Sequence, residues 1–321
     1  MKKVLKILGI ILGVLVLLIG GTLMYFNVKG IPSYEVKAPD LKVIADSALI
    51  ARGEYIVSNT CINCHRGKDG KLSGKFLEDS PGFGKFYAPN ITQHPTAGIG
   101  SYTDGELAYL LRTGVRKSGK ITLPVMSRFP HMSDYDIQAI IAYLRSDNTA
   151  VQASEQVQPA SEPALLAKVL MNLVIKPLPY PSHPIEVPST SNQAAYGEYL
   201  ADGVINCFHC HSARFDAINE LEPEKSEGYY GGGNQISNPA EPDQLIYSAN
   251  LTMHPEHGLG NWTEEEFIKA VKSGQRNNGT GLRPAMPTFP NMTDEDAKAI
   301  WAYLKTVPVL DNPVDRGPVE Q

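Results

Sequence analysis

All four cysteines of this 321-residue chain sit in two copies of one five-residue motif, Cys61-Ile62-Asn63-Cys64-His65 and Cys207-Phe208-His209-Cys210-His211. That placement restricts the fold more than any other feature. Four cysteines are too few for a disulfide scaffold of this size. Within each motif the two sulfurs, three residues apart on a helical turn, face the same side, and an imidazole follows at once.

The motifs belong to a longer repeat. At an offset of 160, Asn90-Ile91-Thr92 falls on Asn250-Leu251-Thr252 and His94-Pro95 on His254-Pro255. Gly98-Ile99-Gly100 meets Gly258-Leu259-Gly260, Pro124-Val125-Met126 meets Pro284-Ala285-Met286, and Ala142-Tyr143-Leu144 meets Ala302-Tyr303-Leu304. The cysteine motifs are 146 apart, so the second copy carries 14 more residues between its cysteines and its Asn-Leu-Thr. That insertion contains Gly231-Gly232-Gly233 and reads as a surface loop. Two copies of a unit of roughly a hundred residues explain the pattern better than a solenoid, whose period would be shorter.

Three helices are predicted in each copy. The first leads into the cysteines past Gly53-Glu54-Tyr55 or Gly197-Glu198-Tyr199. The second opens on the capping boxes Thr103-x-x-Glu106 and Thr263-x-x-Glu266 and stops at Gly114 or Gly274. The third opens at Ser133 or Thr293 and carries the apolar face Ile137, Ile140, Ile141 and Leu144, matched by Ala297, Ile300, Trp301 and Leu304. No alternating strand pattern stands out, so the expected fold is all-α, with helical domains over 45–147 and 191–309. Residues 29–44 and 148–190 read as linkers and 310–321 as a tail. Within the second linker, Ala164 to Lys176 forms an apolar stripe between Pro163 and Pro177. It is too short to cross a bilayer and reads as a helix packed on the domains in preference to a membrane-surface helix.

The N-terminus is a membrane signal. Lys2, Lys3 and Lys6 precede an uncharged run from Ile7 to Val28, which as helix covers about 33 Å and suffices for a hydrocarbon core of about 30 Å. With Leu23-Met24-Tyr25-Phe26 where a small-residue cleavage site would fall, residues 1–28 read as an uncleaved transmembrane signal-anchor. The lysines hold the N-terminus in the cytoplasm, which implies a single-pass protein of a bacterial inner membrane with the remainder in the periplasm. With 29 Lys and Arg against 34 Asp and Glu, no basic excess is available to hold nucleic acid.

In an exported protein of this kind, the C-x-x-C-H pattern reads as covalent attachment of haem c. A zinc ribbon wants its two cysteine pairs close in sequence, and a thioredoxin-like pair wants an alternating α/β pattern. Neither is present. The expectation is two covalently bound haem c groups, on Cys61, Cys64 and on Cys207, Cys210, with His65 and His211 as iron ligands. For the sixth position each copy repeats two methionines. Met132 and Met292 precede a helix N-cap, the place of an apolar staple. Met126 and Met286 stand in irregular segments after Pro124 and Pro284 and are preferred as ligands. His94 and His254 remain rivals, while His131, His183, His209 and His257 read as ordinary surface residues. Histidine–methionine ligation favours Fe(II), raises the potential and closes the iron to oxygen or peroxide.

The sequence resembles the membrane-anchored class I c-type cytochromes that serve bacterial alcohol, aldehyde and gluconate dehydrogenases. The resemblance rests on Asn90-Ile91-Thr92 with Gly98-Ile99-Gly100, on Pro284-Ala285-Met286-Pro287, on Met292-Thr293-Asp294-Glu295-Asp296 and on Ala302-Tyr303-Leu304-Lys305. It implies tandem cytochrome c domains that transfer electrons and catalyse nothing themselves. It also implies Met286, and by the repeat Met126, as axial ligands, with Tyr102 and Trp262 at the haem edges. The implied partners are redox proteins: a dehydrogenase or quinol-oxidising complex on one side, a terminal oxidase or soluble cytochrome on the other. That family carries three haem motifs and this sequence two. Arg66-Gly67 and Ser212-Ala213 stand where the family often has proline after the haem histidine, so the imidazole N–H acceptor is not legible. A di-haem cytochrome c peroxidase is the competing class. It needs an open or displaceable sixth site, against which the repeated Pro-x-Met segment argues.

Overall fold

The computed structural model describes residues 2–80, 82–238 and 245–314. In chain order its helices are α1 (Lys2–Lys29), α2 (Ser47–Thr60), α3 (Ile62–His65), α4 (Asp104–Thr113), α5 (Asp134–Leu144), α6 (Leu165–Leu173), α7 (Gln193–Glu198), α8 (Cys207–His211), α9 (Glu264–Ser273) and α10 (Asp294–Leu304). Capping chemistry sets their ends. The hydroxyls of Thr103 and Thr263 accept the N–H of Glu106 and Glu266, whose carboxylates accept the N–H of the threonine in return. Both helices stop on a left-handed glycine, Gly114 and Gly274. Ser133 and Thr293 cap α5 and α10 in the same way from their side-chain oxygens.

Purely helical architecture is not what forms. Strands β1 (Lys75–Ser80), β2 (Gly84–Ala88) and β3 (Glu162–Pro163) make an antiparallel sheet, and β4 (Gln235–Ser237) pairs with β5 (Leu245–Tyr247). The reason they leave no alternating signature is physical. β1 has no fully buried position and its register slips between Phe76 and Glu78, so no apolar face has to be written into it.

Within each copy the first helix crosses the last at a glycine. A β-carbon on Gly53 would lie 1.9 Å from the Ala139 carbonyl oxygen, and one on Gly197 would lie 1.8 Å from that of Ala299. Side chains at those positions would hold the helices apart. The two copies differ just beyond this point. Tyr55 stands six residues before its cysteine motif, whereas Tyr199 stands eight before its own. The two added residues are absorbed as a π-helical turn over Tyr199–Val204, closed by the Ile205 N–H on the Leu200 carbonyl at 2.9 Å. Asn206 then takes a left-handed conformation (φ 61°) directly before Cys207.

Hydrogen bonds pass reciprocally between the copies. Tyr55 donates to Asp296 of the second copy, and the equivalent Tyr199 donates to Asp136 of the first, at 2.5 and 2.6 Å. Arg52 closes a bidentate pair on Asp136 at 2.8 and 2.7 Å. Burial opposes charge on Arg52, but the bonds and attraction of Asp136 outweigh it and hold the guanidinium above its ordinary pKa. One continuous apolar core runs beneath these bonds, from Ile56, Leu107 and Ile140 to Leu200, Phe208 and Trp301. Because Asp136 is fully buried, Asp136→Ala strands Arg52 and takes from the Tyr199 hydroxyl one of its two acceptors, leaving Ser133, and is expected to cost about 3 kcal/mol. Urea denaturation checks this, and a loss under about 1 kcal/mol would show the bridge to be ornamental.

α1 is long and apolar enough to cross a membrane, and its apolar window is not buried within the protein. The linker stripe forms α6, shorter than the expected 164–176. Met171 fills a cluster with Phe86, Ile121 and Leu123, and the helix flank touches the end of α1. Of the expected tail, Asn312 donates to the Gly231 carbonyl at 2.9 Å; residues 315–321 lie outside the described residues.

Candidate haem sites

Each cysteine motif ends with a buried histidine whose ring is tied down from behind. His65 Nδ1 donates to the Pro89 carbonyl at 2.8 Å, and His211 Nδ1 donates to the Ala249 carbonyl at 2.9 Å. A carbonyl can only accept, so the ring proton sits on Nδ1 and Nε2 keeps its lone pair. This is the tautomer an iron ligand needs, and the carbonyl also sets the ring plane. Burial lowers the pKa of His65, with Arg116 and Lys75 adding to the effect and the Pro89 bond opposing it, so the neutral ring is favoured.

The carbonyl is itself positioned, and here the Asn-x-Thr segments find their purpose. Asn90 Oδ1 accepts from the backbone N–H and the hydroxyl of Thr92 at 2.8 and 2.7 Å, while its amide donates to the Ser154 carbonyl at 2.8 Å. Asn250 repeats this on Thr252 and donates to the Leu310 carbonyl at 2.8 Å. All four side chains are buried. The repeat marks these residues in the sequence, but the loop they brace is a tertiary feature.

Burial raises the thiol pKa of Cys61 to about 11, and moves Cys207 higher still. Sulfurs that resist ionisation are poor thiolate ligands and poor redox nucleophiles. They suit a neutral thioether. In the second copy Cys207, Cys210 and His211 line, together with Met286 and Trp262, one open cleft whose void, mouth included, is about 1500 Å³. Met292 also borders the cleft, although it is almost fully buried and packs in the core, as does Met132 in the first copy. Met126 and Met286 sit half-buried in turns, their N–H groups on the carbonyls of Leu123 and Arg283 at 3.0 and 2.9 Å. In the first copy Arg112 clamps the following segment, donating to the carbonyls of Phe129 (3.1 Å) and Met132 and to Asp134 at 2.6 Å.

Haem fits these residues. It brings an apolar ring for the lining, two vinyl groups for the sulfurs, an iron for Nε2 and two carboxylates that need cations. Arg116 supplies an unmet cation: it makes no ion pair among the described residues, and burial lowers its pKa. Its repeat partner Arg276 lines the second cleft.

The remaining histidines divide differently from the sequence reading. His94 and His254 turn Nδ1 back to accept the N–H of Ala97 and His257 at 2.9 and 3.1 Å. His131 is not an ordinary surface residue, because Nε2 bonds the Glu220 carbonyl across the copies at 2.9 Å. His209 is partly buried, and burial lowers its pKa. His257 bonds Asp311 at 2.8 Å. The Gly231-Gly233 segment also departs from the expected surface loop. Gly231 and Gly232 are buried, with the Gly232 N–H on the His211 carbonyl at 2.8 Å. This glycine segment of the insertion supports the second site from behind, while Leu221, Glu222, Glu224 and Lys225 upstream of it are exposed.

Asp202, which has no counterpart in the first copy, lies in the π-helical turn beside this site. Tyr230 and Tyr303 donate to it at 2.6 and 2.9 Å and Tyr229 donates as well. Burial raises its pKa to about 6 against the downward pull of the three phenols. The folded protein therefore holds a proton that the unfolded chain has released between about pH 4 and pH 6. Stability from this group is full below that window and lost as pH rises through it, by up to about 3 kcal/mol. Urea titrations across the window should show this decline in the wild type and its loss in Asp202→Asn.

Residues 50–147 match the cytochrome c family. The protein is homologous to cytochrome c subunits of bacterial dehydrogenases. It is 32% identical over 276 residues to the cytochrome c subunit of the quinone alcohol dehydrogenase of Komagataeibacter europaeus, covering 82% of this chain and 57% of that one. It is 29% identical over 308 residues to the fructose dehydrogenase cytochrome subunit of Gluconobacter japonicus, covering 91% and 58%. The chain thus spans a little over half the length of these relatives. A diheme cytochrome c-type protein of Cereibacter sphaeroides is 25% identical over 279 residues, covering 81% of this chain and 86% of its own.

Proposed function

We propose that the protein is a membrane-anchored di-haem electron carrier. One haem c is held by Cys61 and Cys64 between His65 and Met126, the other by Cys207 and Cys210 between His211 and Met286, in tandem domains over 45–147 and 191–309. Residues 7–28 cross the bacterial inner membrane and leave both domains in the periplasm. Haem c, when bound, supplies one-electron exchange without bond making at a substrate. The protein's part is to hold both rings rigidly, keep water from the iron and leave an edge near the surface. Asp136 and Asp296, each bonded to a tyrosine of the opposite copy, support a fixed relation between the two rings. The dehydrogenase relatives support a donor that is a dehydrogenase or quinol-oxidising complex; the acceptor is a terminal oxidase or soluble cytochrome.

The observation that carries this reading is the duplicated C-x-x-C-H histidine with Nδ1 committed to a carbonyl in both copies. Carbon monoxide tests it against peroxidase chemistry. The reduced, purified protein should stay unchanged under the gas, because both irons are closed. Ready binding to half of the haem would favour a di-haem peroxidase instead.

A further inference from the structure

We infer that α6 lies in the outer boundary of the same bilayer that α1 crosses, as a second, interfacial contact that fixes the height and tilt of the first haem domain. This rests on the reading of α1 as a membrane span. The sequence Leu165-Leu-Ala-Lys-Val-Leu-Met-Asn-Leu173 has only two polar residues, and both turn toward α1 or its end. Lys168 Nζ donates to Asn27 Oδ1 and Asn172 Nδ2 to the Gly30 carbonyl, each at 2.8 Å. These bonds hold α6 level with the end of the apolar run of α1, where hydrocarbon gives way to headgroups. Tyr25 and Lys29, with the ammonium 5.5 Å from the ring centroid, mark the same level with the residue types that favour an interface.

The faces of α6 are the second argument. Ala167 and Met171 are buried, Met171 among Phe86, Ile121 and Leu123 of the first copy. Leu166, Leu173 and Val174 are 49, 59 and 66% exposed, with Val169 and Leu170 half-buried between them. A helix facing water puts polar side chains on its outer face. This one has none there. Phe83, 41% exposed, extends the apolar surface, since its carbonyl accepts the Ala164 N–H at 2.7 Å. An apolar face beside the exit of a membrane span meets lipid by geometry, and burial of such a face in the acyl boundary is what holds an interfacial helix.

The test uses the full holoprotein in vesicles of phosphatidylethanolamine and phosphatidylglycerol, with one fluorophore on Leu173→Cys, on Leu15→Cys in α1, or on Val309→Cys far along the second copy. Lipids with a nitroxide near the headgroup should quench the Leu173 label several-fold more than the Val309 label, and aqueous iodide should do the reverse. Deep nitroxides should quench the Leu15 label. If Leu15 is quenched from within the bilayer while Leu173 answers to iodide, α6 is not interfacial and the inference is overturned, with the anchor intact. If neither label senses lipid, the anchor reading fails and takes the inference with it.

Discussion

Met286→Leu should lower the midpoint potential of one haem, on the order of 0.1 V or more within the roughly 0.8 V that axial ligands span, and leave the other unchanged. Met126→Leu should do the same to the other haem. Leucine nearly conserves the volume of methionine, so the turn that places each residue should persist. What is lost is a soft sulfur that favours Fe(II). The vacated position then becomes open, so each reduced variant should also bind carbon monoxide at one haem. A redox titration with the gas as second readout separates ligand loss from general damage. Potentials that stay fixed in both variants would return the role to Met132 and Met292, or to His94 and His254.

The second large effect concerns packing. Gly53→Ala and Gly197→Ala should each destabilise the protein by about 3 kcal/mol, at the upper end of what overpacking costs. The added methyl meets a backbone carbonyl at 1.9 or 1.8 Å and the Tyr143 or Tyr303 β-carbon at 2.8 or 2.9 Å. Neither neighbour can rotate away, so the helices must separate, which loosens the segment that leads into each cysteine motif. Thermal and urea unfolding of the holoproteins would register the loss. Gly70→Ala provides a contrast, since its methyl meets nothing within 4 Å, although its left-handed φ of +78° adds local strain.

Legibility in the sequence varies with range. The helix starts at Thr103, Thr263, Ser133 and Thr293 are readable because capping is local chemistry among residues three apart. The two C-x-x-C-H motifs are readable for the same reason. The carbonyls behind His65 and His211 come from 24 and 38 residues downstream, and no residue type announces a backbone acceptor. The short strands stay hidden because neither face of β1 needs apolar residues. Gly231-Gly233 defeats the expectation of a surface loop because glycine serves an exposed turn and a crowded interior equally well. Here the close approach of Ala249, 2.4 Å from a β-carbon on Gly232, requires it.

The central claim is that both C-x-x-C-H motifs hold haem through covalent bonds. Intact mass spectrometry of the denatured holoprotein tests it most directly. The account predicts a polypeptide heavier by two haem groups, falling to one in the Cys61→Ser/Cys64→Ser variant and to one in Cys207→Ser/Cys210→Ser. A polypeptide with one haem or none, or a mass unmoved by either double substitution, would contradict it.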